Sequence, residues 1–137
     1  MKTRSYLDES DDQTRIPTAF LVGIQHQNAS IEEAEEMLAE LSELVDTLGL
    51  PKAGSAMARI RSLNPAFITG SGKADEVVEL AKAAGADVII IDDFLTPAQQ
   101  RNWEKLSDLA VIDRQEVILD IFAARAQTNE ATLQIAL

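Results

Sequence analysis

Residues 69–75 read TGSGKAD, and Gly70-Ser71-Gly72-Lys73 has the composition of a phosphate-gripping loop. Glycines let backbone N–H groups close around phosphate oxygens, a lysine neutralises them, and a following Ser/Thr hydroxyl ligates Mg²⁺. Residues 88–93, VIIIDD, add an apolar run ending in Asp92-Asp93, where α/β folds place ligands and where carboxylates can hold Mg²⁺ through water and phosphate. The spacing rejects a working P-loop. With Gly72-Lys73 as the Gly-Lys pair, the first glycine falls on Phe67 and the hydroxyl on Ala74. A dinucleotide fingerprint fails too, because its third glycine falls on Asp75. Two readings of Gly70, Ser71, Gly72 and Lys73 stay open: a strand-to-helix turn that needs glycine dihedrals, or a weak anion site at a helix N-terminus. Asp92-Asp93 reads more readily as a strand-to-loop exit with solvated or capping carboxylates.

Other chemistry is sparse. His26 is the only histidine, so a multi-histidine metal site is impossible, and the absence of cysteine removes thiolate ligands, disulfides and cysteine nucleophiles. Ser55 and Ser71 have no evident histidine partner, so no catalytic residue and no metal site is assigned. The net charge of −11 disfavours general nucleic-acid binding, and sequence-specific DNA is not an expected partner. The acid is uneven: residues 1–56 hold eleven carboxylates against four Lys/Arg, and residues 57–137 hold twelve against eight. Missing apolar runs of membrane-spanning length, the lack of a signal-peptide h-region and the absence of cysteine together suggest a cytoplasmic protein without a membrane partner.

The elements that would position these residues alternate strand and helix. Residues 1–15 read as a polar, mobile arm and 18–25 as a buried strand. Ser30 and Glu33 form a capping box for a helix with an apolar stripe from Ile31 to Leu48, stopped by Gly49 and Pro51. Residues 55–62 alternate as a half-exposed strand, and 66–69 read as another short one. A helix is expected over 74–84, a buried strand over 87–91, and a helix after the Thr96-Pro97-Gln99 cap. A strand over 109–113 and a helix over 115–125 follow. Residues 131–137, ATLQIAL, open a further amphipathic pattern that stops short. This order predicts an α/β fold: a mostly parallel four- to five-stranded sheet, helices on both faces, and a truncated long helix at the C-terminal end. The expected division is an acidic arm (1–16), an α/β domain (17–126) and the start of a helical linker (127–137). The sequence also permits a stand-alone nucleotide-binding domain using Lys73 with Asp92 or Asp93, or a dimerisation module through Leu133, Ile135 and Leu137.

The block Val111-Ile112-Asp113-Arg114 through Ile118-Leu119-Asp120-Ile121-Phe122 and Arg125, with FITGSGKADEVVELAKAAGADVIIIDDFLTPAQQRNWE before it, resembles the N-terminal domain of the HflX family of ribosome-associated GTPases. The resemblance runs from about residue 18 to the end. It implies a parent protein whose separate G domain binds GTP with Mg²⁺, hydrolyses GTP and acts on the large ribosomal subunit. It also implies a proposed ATP-binding role for the family's N-terminal region; no cofactor is expected in this segment, whose partners would be that subunit and the parent's own G domain and helical segment. The GTPase motifs would lie beyond residue 137. Arg114 and Arg125 become candidate ribosomal or interdomain contacts, with Arg114–Asp120 as a structural pair. The family carries basic residues after this block, where this chain has Gln127, Asn129 and Thr132, leaving Arg125 as the main cation there.

Overall fold

A computed structural model describes residues 15–136, with side chains described through residue 126. Four strands, β1 (Ala19–Gln25), β2 (Lys52–Arg59), β3 (Val88–Ile91) and β4 (Ala110–Asp113), alternate with four helices. These are α1 (Ile31–Leu48), α2 (Ser71–Ala83), α3 (Pro97–Ser107) and α4 (Arg114–Ala136). The sheet order is β2-β1-β3-β4, and every pairing is parallel. The expected α/β fold is thus present, with four strands.

Side-chain alternation along the strands divides the core in two. Phe20, Val22, Ile89, Ile91 and Val111 point to the layer of α2 and α3, where they meet Val77, Val78, Ala81 and Trp103. Leu21, Val88, Ile90 and Ile112 point to the layer of α1 and α4, against Leu41, Val45 and Val117. All four residues of β3 are buried, as a central parallel strand covered on both faces requires.

Local chemistry sets the helix ends. Ser30 Oγ accepts from Glu33 N, and Glu33 Oε1 accepts from Ser30 N, each at 3.0 Å. Thr96 and Gln99 repeat the box with Pro97 in the first turn. Gly49 closes α1 at φ 92°, a conformation that favours glycine. Among the described residues, no helix is long and apolar enough to cross a membrane.

Three expectations shift. The half-exposed strand occupies 52–59 rather than 55–62. Residues 66–69 form no strand: Asn64 and Ile68 exchange both backbone hydrogen bonds, the Asn64 side chain accepts from Ala66 N and Phe67 N, and Ile68 sits at φ 69°. The final helix is continuous from Arg114 to Ala136, without a break near 126. The arm expected over 1–16 lies outside the described residues except for Arg15 and Ile16. The side chains of Leu133, Ile135 and Leu137 also lie outside them.

Candidate functional site: a cleft at the switch between β1 and β3

From central β1 the chain moves outward to β2, then returns across the sheet to β3 on the other side. The β1 exit leads to α1 on one face, and the β3 exit leads to α3 on the opposite face. Such divergence opens a crevice at the carboxyl ends of the two strands. A cleft of about 500 Å³ lies there, lined by Ile24, His26, Met37, Asp92, Asp93, Phe94, Arg114, Gln115 and Ile118.

Register builds its polar part. Ile91 pairs with Asp113, so the next residues on each strand, Asp92 and Arg114, leave the sheet side by side. Arg114 Nη1 donates to Asp92 Oδ1 at 2.8 Å and to the Met37 carbonyl at 3.3 Å, while Nη2 donates to Glu40 Oε1. Asp92 is nearly enclosed, its side chain 5 % exposed. Burial raises its pKa above the ordinary carboxylate value, opposed by the hydrogen bond and charge of Arg114 and aided by the charges of Asp93 and Glu40. Asp93 Oδ2 lies 2.7 Å from His26 Nε2, and Asp93 Oδ1 accepts from Phe94 N at 2.7 Å. Asp113 anchors the junction behind them: Oδ1 accepts from Glu116 N at 3.0 Å in the first turn of α4, and Oδ2 accepts from Leu95 N at 2.9 Å. Ile24, Met37, Phe94 and Ile118 supply the apolar wall. The lining contains no serine, threonine, cysteine or lysine; it offers hydrogen bonds, charge and apolar surface.

Gly70, Ser71, Gly72 and Lys73 are not part of this cleft. Gly70 is the N-cap of α2 at φ −62°, and Ser71, Gly72 and Lys73 form its first turn, three residues earlier than the expected start. Neither glycine has a positive φ, and a Cβ at either would meet nothing within 4 Å. The turn therefore does not require glycine dihedrals, which corrects that reading. Lys73 Nζ lies 3.5 Å from Glu76 Oε1, one turn along the helix.

The segment does not fit a nucleoside triphosphate with Mg²⁺. Where a P-loop needs bare backbone, the Phe67 ring stands edge-on to Trp103 at 5.8 Å, and the Phe67 carbonyl accepts from the Trp103 indole N–H at 3.0 Å. Where it needs a hydroxyl, Ala74 is fully buried. No metal-type cluster of carboxylates and histidine occurs among the described residues.

Of the candidate cations, Arg114 enters the cleft and Arg125 is exposed farther along α4. The carboxylates that Arg114 grips are Asp92 and Glu40, in place of the expected Asp120. Asp120 is six residues along the same helix, about 120° around its axis from Arg114. His26, Met37, Glu40, Phe94 and Ile118 were not candidates from sequence. Only His26 and Phe94 carried a signal, since each closely follows a strand end.

Residues 35–123 match the family model described as GTP-binding GTPase N-terminal. GTPase HflX of Akkermansia muciniphila is 47 % identical over 122 residues, covering 89 % of this chain and 28 % of that protein. GTPase HflX of Escherichia coli is 43 % identical over 102 residues, 74 % of this chain and 24 % of that protein. The chain thus spans less than a third of either relative. Crystal structures of two SsGBP mutation variants share the fold: one has a TM-score of 0.59 at 22 % identity, covering 87 % of this chain and 36 % of that one. The family model spans most of the chain and the relatives agree along it, so the chain belongs to the HflX family and corresponds to its GTP-binding GTPase N-terminal domain.

Proposed function

We propose that this chain serves as the regulatory and ribosome-docking domain of an HflX-type GTPase, with GTP and Mg²⁺ handled by a separate G domain. The family match over residues 35–123 carries the reading. The poor fit of Gly70–Lys73 to a triphosphate supports placing the phosphate chemistry elsewhere. Residues 17–126 would be the docking body and 127–137 the start of a helical linker, with Arg125 as the exposed basic contact. The domain works in the cytoplasm, where ribosomes are.

The test is co-sedimentation of the full-length protein with large ribosomal subunits at rising salt, beside a chain lacking residues 1–126 and an unrelated acidic domain. Salt-sensitive binding that weakens when this domain is removed supports docking. Equal binding by the acidic control removes it. Titration of ATP and GTP with Mg²⁺ into the 137-residue chain checks the competing nucleotide-binding reading. That reading requires affinity tighter than millimolar that is lost in Lys73→Ala.

A further inference from the structure

The switch-point cleft has an apolar wall and a negative rim. Phe94 is 70 % exposed and Met37 48 % exposed, so two large apolar side chains stand at its mouth in water. Three carboxylates, Asp92, Asp93 and Glu40, face one guanidinium and one imidazole. Carboxylates outnumber the basic side chains around this rim. Arg114 already donates to two carboxylates and a main-chain carbonyl, which leaves it poorly placed to receive an incoming anion. The helix that contributes Met37 and Glu40 carries seven carboxylates and no lysine or arginine between Ile31 and Leu48. A phosphate entering here would meet like charge and an apolar wall, both unfavourable.

We infer that this cleft docks a protein segment presenting a bulky apolar side chain next to arginine or lysine. The apolar group enters between Met37, Phe94 and Ile118, within a volume of the size that small ligands and anchor side chains fill. The flanking cation faces Asp93 and Glu40, and the exposed Phe94 ring offers its π face to a guanidinium. Charge complementarity selects a basic partner, and the central apolar anchor supplies most of the affinity. The inference rests on the cleft alone and holds whichever larger assembly the domain serves.

Methyl NMR of the 137-residue chain tests it, with an acetylated, amidated Arg-Trp-Arg-Leu-Lys peptide as probe. The acidic Glu-Trp-Glu-Leu-Glu peptide and MgATP serve as controls. The basic peptide should shift the methyls of Met37 and Ile118. Its affinity should fall with added salt and drop about tenfold in Phe94→Ala, the loss typical of an anchor residue. Asp93→Asn should weaken it in the same direction. Phe94 is exposed, so its replacement leaves the core intact, and retained Trp103 fluorescence verifies this. The inference is overturned if the acidic peptide or MgATP moves the same methyls as strongly. It is also overturned if Phe94→Ala leaves binding unchanged, or if millimolar basic peptide shifts nothing.

Discussion

Asp92 and Arg114, twenty-two residues apart in sequence, meet at 2.8 Å with side chains only 5 % and 18 % exposed. The contact joins the end of β3 to the start of α4, and Glu40 and the Met37 carbonyl extend it to α1. Removing one member strands the other. Arg114→Leu should cost about 2–4 kcal/mol, because an unpaired carboxylate would remain enclosed. The double variant Asp92→Leu with Arg114→Leu should be more stable than Arg114→Leu alone. Urea unfolding of the four-member cycle measures this. The loss in Arg114→Leu should shrink as the pH falls, because burial favours the protonated form of the stranded Asp92.

Glu116 makes stability pH-dependent. Burial, then the charges of Asp120, Asp113 and Glu104, push its pKa from 4.5 to about 7. The folded state therefore favours the protonated acid. That contribution is complete below about pH 4.5 and is lost as pH rises through about 7. Glu116→Gln should be more stable than the parent at pH 8 and lose less stability between pH 5 and 8. Asp92 tilts the parent profile in the same direction, so the difference between the two proteins isolates Glu116. Identical urea midpoints for both proteins at both pH values would contradict this.

Two glycines should respond oppositely to alanine. Gly72 lies in the first turn of α2 without positive φ and with open space around it, so Gly72→Ala should stabilise by about 0.4–1 kcal/mol. Gly49 sits at φ 92°, so Gly49→Ala should destabilise by about 1 kcal/mol. Thermal unfolding of both variants checks the signs. If Gly72→Ala is also silent in ribosome binding by the full-length protein, the bare backbone there has no docking role.

Asp113→Ala should cost about 1–2 kcal/mol, since it removes the cap on α4. Asp113→Asn should retain part of that, because one amide oxygen can accept from Glu116 N or Leu95 N but not from both as the carboxylate does. Amide hydrogen exchange at Leu95 and Glu116 distinguishes the two losses.

Both capping boxes were legible in sequence because each is made within four residues of chain. The β3 run was legible because a continuous β-branched stretch suits a strand buried on both faces. Residues 66–69 misled because their apolar pattern is that of a strand, whereas Asn64 and the Trp103 indole capture the backbone from elsewhere. β2 was displaced because Lys52–Arg59 is rich in small residues and shows weak alternation. Asp92-Asp93 stood out at a strand end. Arg114 was a candidate through the family resemblance alone, and its meeting with His26 and Met37 was not legible, because strand order and register, not local sequence, bring the three together.

The unbroken course of α4 has a mechanical meaning. Twenty-three residues at 1.5 Å each make a rod about 34 Å long whose base is fastened by Asp113 and Arg114. A rotation of about 10° at that fastening would sweep the far end through about 6 Å, given that length. Any tilt at the Asp113–Arg114 base is therefore largest at Ala136, so the hydrogen bonds at the start of the helix fix the direction of its far end.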